Sequence, residues 1–236
     1  MIRGILSSLW TIIVVPIPLV GSLFVIGRPA RKARLGARAH QIWAKGLLWI
    51  YDIRITVHGN LPPTGSFVVS NHVSWLDILV LASLYPSNFV GKSQLAAWPV
   101  MGFLCRCGGT IFINREKRSD APRVVEELRL FLNGGATISL FPEGWCGDGK
   151  IMRPFKRSLF AAPAASSAPC IPAFLCYNRP EVVWVDESNV IRHAIRLFRG
   201  GPVQVDAYFG LPKKNTDRRS LALACEQAVG EMFRPI

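Results

Sequence analysis

SFVVSNHVSWLDILVLASLY, residues 66–85, decides how the rest of the chain is read. SFVVS is a short apolar run rich in β-branched residues and reads as a buried strand. The apolar run from residue 76 reads as a helix, ended by Pro86. Between them stand His72 and Asp77, five positions apart. A polar pair at the carboxyl end of a buried strand sits where layered α/β folds place functional groups. Asp77 can accept a hydrogen bond from one imidazole nitrogen, fix the tautomer and leave the other nitrogen as a base. A turn histidine followed by a helix-capping aspartate accounts for the same residues equally well.

Working outward, strand-like and helix-like runs alternate. IRITVHG, NFVGK, GTIFINR, ATISLF, PCIPAFLCY and VQVDAYFG read as strands. LAAWPVMGFLCR reads as a helix broken around Pro99 and Gly102. DAPRVVEELRLFLNGG places Val124, Val125, Leu128, Phe131 and Leu132 on one helical face, with Pro122 in its first turn and Gly134 as its stop. PFKRSLFAAPAA and residues 217–233 complete the helices. The alternation predicts an α/β fold over residues 53–236: one layered domain with a mixed, largely parallel sheet flanked by helices.

Charge divides the chain unevenly. Of 28 Lys and Arg against 15 Asp and Glu (net +13), seven basic residues and no acid fall in the first 51 positions. Such an excess asks for an anionic neighbour, a membrane surface or a nucleic acid. Residues 5–26 run 22 positions without a charge, and about 20 suffice to cross a bilayer core. A nucleic-acid binder has no use for such a segment, so the expected partner is membrane lipid. Residues 1–27 are therefore expected to be a hydrophobic membrane segment. Pro16 and Pro18 make it either a kinked span or a re-entrant pair in one leaflet. Residues 28–52 read as a basic amphipathic helix, at the interface or docked on the domain. The arginines from Arg28 to Arg38 place the rest of the chain on the cytoplasmic side, the inner membrane in a bacterium. The six cysteines lack zinc-ligand spacing and suit a reduced chain; no metal is expected.

Common catalytic patterns fail: GKS at 91–93 lacks the upstream glycine of a phosphate-binding loop, and there is no G-x-S-x-G. Three other stretches add to His72 and Asp77. GGTIFINR (108–115) ends at Arg115, LFPEGWCGDG (140–149) holds Glu143 and Gly144 in a glycine-containing turn, and APCIPAF (168–174) opens another strand. Arginine suits phosphate, and turn N–H groups suit an oxyanion. Base, anion site and oxyanion donors together describe acyl or phosphoryl transfer on an anionic substrate. His40, His58 and His193 read as structural or surface residues. The Arg153, Lys156, Arg157 group and the Arg192, Arg196, Arg199 series read as solvated faces.

NHVSWLD, GTIFINR, FPEG and PCIPAF resemble, in order and spacing, the four blocks of the 1-acylglycerol-3-phosphate O-acyltransferases, the glycerolipid and lysophospholipid acyltransferases with an NHx4D motif. The likeness covers residues 57–177. It implies a glycerol-3-phosphate acyltransferase-like fold. His72 would deprotonate the acceptor's hydroxyl, with Asp77 orienting the ring, for direct attack on the thioester of acyl-CoA or acyl carrier protein (acyl-ACP). These are co-substrates, and no cofactor is implied. Arg115, aided by Lys92, would hold the acceptor's phosphate, with Glu143 and Gly144 shaping the substrate site. The expected product is phosphatidic acid, formed from 1-acyl-sn-glycerol-3-phosphate. Trp145 departs from the family, which usually has Thr or Ser there, and marks a candidate for acceptor specificity. Another lysophospholipid or lyso-ornithine lipid is the alternative acceptor, and a non-catalytic lipid-binding protein the alternative class.

Overall fold

In the computed structural model, which describes residues 2–117, 119–185 and 189–235, the strand within the opening stretch is the middle of the sheet. The N-terminal segment forms α1 (Ile2–Val14), α2 (Pro16–Ser22) and a 3-10 turn over Leu23–Val25. The long helix α3 (Pro29–Ile50) comes next. The domain continues with β1 (Ile53–His58), β2 (Phe67–Ser70), α4 (Leu76–Leu84) and β3 (Asn88–Lys92). Then come α5 (Pro99–Cys107), β4 (Ile111–Ile113), α6 (Asp120–Asn133) and β5 (Ile138–Leu140). The last elements are α7 (Ala161–Ser166), β6 (Cys170–Tyr177), α8 (Val190–Arg199), β7 (Val203–Phe209) and α9 (Arg218–Met232).

The seven strands lie in the order β1-β7-β6-β2-β5-β3-β4. All neighbours are parallel except β6 and β7. The mixed, mostly parallel α/β sheet expected from the alternating runs is what forms. Both faces are covered, as a parallel sheet requires. The period of two on β2 sends Phe67 and Val69 into one core, with α6, α7 and α9, and Val68 into the other, with α3, α4 and α8. Parallelism also brings the carboxyl ends of β2, β3, β4, β5 and β6 to one edge of the sheet, and that edge holds the site.

The N-terminal segment is tied down by specific contacts. Trp10 Nε1 donates to the Trp43 carbonyl at 3.0 Å, Trp43 Nε1 donates to Thr11 Oγ1 at 2.9 Å, and Ser7 Oγ meets Tyr51 OH at 3.1 Å. Pairing residues 7, 10 and 11 with 51 and 43 makes α1 and α3 an antiparallel hairpin. The small and apolar face of α3 (Ala33, Ala37, Ala44, Leu47, Leu48) is buried and packs chiefly on α4. Its arginines and Trp49 stay exposed. The helix is thus docked on the domain and contributes to its core, while its outer face remains basic. Ile2–Val25 is long and apolar enough to cross a membrane, and Ile12, Ile13, Phe24 and the adjacent Ile26 stand largely exposed.

One expectation needs correction, and two others gain structural detail. Residues 154–157 are not helical, because Phe155 N–H donates to Glu226 Oε2 and Lys156 N–H to the Pro142 carbonyl, donors a helix would leave for its own ladder. The helical turns begin at Ser158. Helix α8 forms where the arginine series alone reads as a solvated face; Asn189 caps it, accepting from Ile191 and Arg192 N–H. PCIPAF lies at the entry of β6, with Cys170 opposite Phe67 of β2. It therefore runs the length of β2, with Ala173 opposite Ser70 just before the site, and the residue whose side chain β6 delivers to Asp77 is its last, Tyr177.

Close approach of α3 to the turn before β4 depends on Gly36, where an added Cβ would stand 2.6 Å from the Cys107 carbonyl oxygen. Gly36→Val is expected to destabilise the protein by about 1–3 kcal/mol through overpacking against backbone, read as a lowered Tm of the purified protein.

Candidate active site

The site starts where β2 runs out. Asn71 continues the pairing with β6 by its side chain: Nδ2 donates to the Leu175 carbonyl at 3.0 Å and Oδ1 accepts from Leu175 N–H at 2.8 Å. That amide clasp frees the backbone of residue 72 to turn away from the sheet. Asp77, in the first turn of α4 and fully buried, pulls the turn closed. Its Oδ2 accepts from Val73 N–H at 2.8 Å, Ser74 N–H at 2.9 Å and His72 Nδ1 at 2.8 Å. Its Oδ1 accepts from Tyr177 OH at 2.6 Å. Four donors on one carboxylate offset the cost of burying it, which is several kcal/mol for an unpaired ion. They also fix His72 with Nδ1 toward Asp77 and Nε2 as the nitrogen left for chemistry. The ring lies flat on Phe141, centroids 4.0 Å apart.

The turn after β5 closes over this base. Glu143 is buried, and its two oxygens accept from His72 N–H at 3.1 Å and Arg153 N–H at 3.0 Å. Burial pushes the Glu143 carboxyl up, against those two hydrogen bonds. Glu143 therefore braces the backbone on both sides of the site. Gly144 has a φ of +82°, where an L side chain is strained, and the Lys156 ammonium would lie 2.7 Å from an added Cβ. The Gly144 N–H is spent on the Phe141 carbonyl at 3.1 Å. Among the described residues the N–H groups of Trp145 and Cys146 have no such acceptor. Gly147 N–H bonds the His72 carbonyl at 2.6 Å, which brings the Cys146 sulfur against the imidazole.

That contact alters the base. Burial disfavours the charged ring, but the hydrogen bond to Asp77 and the Cys146 sulfur outweigh it and raise the His72 pKa to about 10. Cys146 is half-buried and lies beside the His72 ring, a contact its sequence position does not announce. Tyr177 was the other residue out of reach, since nothing in PCIPAFLCY says that its last hydroxyl meets a carboxylate 100 positions away.

Beside the turn lies a cavity of about 340 Å³. Val90, Ile113, Leu140 and Leu159 give it apolar walls; Asn114, Arg115, Lys117 and Lys156 give it a polar, basic side, with no carboxylate among the described residues that line it. Arg115 Nη1 donates to the Gly144 carbonyl, tying the end of β4 to the same turn. Desolvation and the neighbouring Arg115 lower the Lys156 pKa, as two cations held close require. Phe141 lines the cavity and stacks on His72, so imidazole and cavity share a wall. Lys92 ends β3, but the wall from that strand is Val90; Lys117 and Lys156 are the lysines at the cavity. Trp145, next to Gly144 in the turn, is exposed. Among the described residues no cluster of side chains could hold a metal ion.

A doubly covered, mostly parallel sheet with a buried carboxylate, an imidazole and a basic cavity at its carboxyl edge is a class of enzyme site. The Acyltransferase family model matches residues 54–175, so the chain belongs to the acyltransferase family. It is 31% identical over 212 residues to the lyso-ornithine lipid O-acyltransferase of Rhizobium meliloti, covering 81% of this chain and 72% of that protein. It is 37% identical over 135 residues to the 1-acyl-sn-glycerol-3-phosphate acyltransferase of Neisseria gonorrhoeae, covering 56% of this chain and 53% of that one. Its fold is that of the 1-acyl-sn-glycerophosphate (LPA) acyltransferase PlsC from Thermotoga maritima, with a TM-score of 0.63 over 98% of this chain and 95% of that one at 19% identity.

Two outcomes are expected. A raised His72 pKa leaves the free base scarce at neutral pH, so the acyl-transfer rate should climb as pH rises toward about 10. Cys146→Ala removes one raising influence, and the rising limb should move to lower pH; rate–pH profiles of the two proteins check this. Tyr177→Phe leaves Asp77 Oδ1 buried without a donor, a loss of about 1–3 kcal/mol, seen as a lower Tm with the His72 contact intact.

Proposed function

We propose that this chain transfers an acyl group from acyl-CoA or acyl-ACP to the free hydroxyl of 1-acyl-sn-glycerol-3-phosphate, forming phosphatidic acid at the cytoplasmic face of a membrane, the inner membrane in a bacterium. One observation carries the reading: the His72–Asp77 pair shares a wall with a basic cavity that has no carboxylate among its described lining residues. A dianionic phosphate fits such a lining. His72 Nε2 takes the proton of the acceptor hydroxyl, and the oxygen attacks the thioester carbonyl directly. The tetrahedral oxyanion is met by the Trp145 or Cys146 N–H, and the imidazolium returns the proton to the departing thiolate. Arg115 and Lys156 hold the phosphate, Lys92 adds positive charge behind them, and Glu143 and Gly144 keep the turn in shape. The scheme uses no metal and no cofactor besides the thioester. The α1–α3 hairpin, tethered along a docked helix and apolar outside, supports a re-entrant insertion into the cytoplasmic leaflet, which would keep the site at the level of lipid headgroups.

A second reading is favoured by a different observation. The R. meliloti lyso-ornithine lipid relative aligns over 81% of this chain against 56% for the N. gonorrhoeae phosphate-acceptor relative. A lyso-ornithine acceptor would carry a carboxylate to Arg115 and Lys156 and place its ammonium near the exposed Trp145 face. A silent lipid-binding protein has no need of a carboxylate saturated by four donors around one imidazole.

Membranes containing the protein, given labelled acyl thioester and a panel of lysolipids, should yield labelled phosphatidic acid. His72→Ala should cut the rate by roughly 10²–10⁴. Lys156→Ala should raise the KM for the phosphate acceptor roughly 10- to 100-fold while sparing kcat. Product from lyso-ornithine lipid alone would establish the second reading, and transfer to no acceptor would reject both.

A further inference from the structure

Helix α8 has a face that neither the fold nor the catalytic scheme uses. Positions 191, 192, 195, 196 and 199 fall on one side of it and all are exposed. Ile191 and Ile195 are 66% and 48% exposed, and the other three are arginines. The helix itself carries no carboxylate. Basic residues in a last turn suit a helix dipole. That accounts for Arg196 and Arg199, but not for two isoleucines held out in water among them.

The opposite face is built into the site. His193, 2% exposed, accepts at Nδ1 from Trp75 Nε1 at 3.0 Å, and Trp75 stands between His72 and Asp77 in the catalytic turn. Phe198 stacks on Tyr51 at 3.9 Å between centroids, and Tyr51 OH meets Ser7 Oγ of α1 at 3.1 Å. One helix thus touches the catalytic turn through His193 and the base of the membrane hairpin through Phe198.

We propose that the Arg192, Arg196, Arg199 face of α8 is a second membrane-docking surface, taking an anionic bilayer with its arginines at the phosphates and Ile191 and Ile195 below them. Guanidinium groups complement anionic headgroups, and an amphipathic helix with basic and aliphatic residues on its outer side lies in the interface plane. The surface continues from the hairpin through Tyr51, so two separated elements grip the bilayer and set its tilt. Because α8 is hydrogen-bonded to the catalytic turn, that grip fixes the height and orientation of His72 over the headgroups. The proposal rests on the membrane-attached reading of the hairpin and is independent of which lysolipid is acylated.

The test is flotation of the full-length protein with vesicles of phosphatidylcholine alone and with added phosphatidylglycerol. Wild type should bind the neutral vesicles through its hairpin and the anionic ones more tightly, the increment falling with salt. Arg192→Glu/Arg196→Glu/Arg199→Glu should weaken anionic binding on the order of 100-fold with neutral binding unchanged. Lys214→Glu/Arg218→Glu/Arg219→Glu, an equal change of charge before and at the start of α9, should lose far less. Ile191→Ser/Ile195→Ser, which changes no charge, should weaken binding to both vesicle types. Equal losses in the two charge-reversed proteins, or an unchanged Ile191→Ser/Ile195→Ser, would overturn the proposal. So would an α8 reversal that abolishes binding to an acidic acyl carrier protein but not to vesicles. Failure of wild type to bind any vesicle would overturn the hairpin reading along with it, whereas binding that ignores phosphatidylglycerol would overturn α8 alone.

Discussion

The site depends on one buried carboxylate. Asp77 is fully enclosed and takes hydrogen bonds from an imidazole, two backbone N–H groups and a phenol. The four donors come from three physical sources: the side chain of the turn, the backbone of the turn, and the far end of a neighbouring strand. Burying an ion is tolerable only when its lone pairs are met, so the cost of Asp77 enforces the position of everything around it. His58 and Asp206 form a similar contact, 2.7 Å long, but with both side chains more than 40% exposed. Solvent screens that pair, and it contributes little.

From Asp77 the order spreads along the carboxyl edge of the sheet. Asn71 closes the gap that β2 leaves against β6, and Glu143 joins the turn after β5 to the His72 backbone. Arg115, at the end of β4, reaches the Gly144 carbonyl in the same turn. Three strand ends are therefore cross-braced by side chains spending their polar groups on backbone. A residue that looks like a substrate ligand in sequence, Glu143, is engaged in this bracing through both its oxygens. The cations at the cavity are Arg115, Lys117 and Lys156.

Charge and apolar surface are divided between the two ends of the chain in a comparable way. The hairpin exposes aliphatic side chains, α3 turns its alanines inward and its arginines outward, and α8 repeats that division on a smaller scale. In each case the inner face is ruled by packing and the outer face by the surroundings of the protein, which is why the outer faces carry the information about partners.

Much of this was legible in the residues alone. Alternating apolar runs determined the α/β class, because strand and helix periods differ and parallel strands need covering helices. The uncharged stretch at 5–26 and its basic flank announced a segment long and apolar enough to cross a membrane. The NHVSWLD spacing announced the contact of His72 with Asp77, since a five-residue reach across a strand–helix turn is a local property. What lay beyond the sequence was set by contacts between distant segments. Tyr177 meets Asp77, Cys146 meets His72, and Lys156 takes its place beside Gly144 only because parallel strands bring their ends together. Hydrogen bonds across 71 and 100 residues (Glu143 to His72, Tyr177 to Asp77) have no periodicity to announce them, and the helical pattern of PFKRSLF lost to tertiary donors for the same reason. Local patterns determine elements; which polar atoms meet once those elements are packed is a question that three dimensions alone decide.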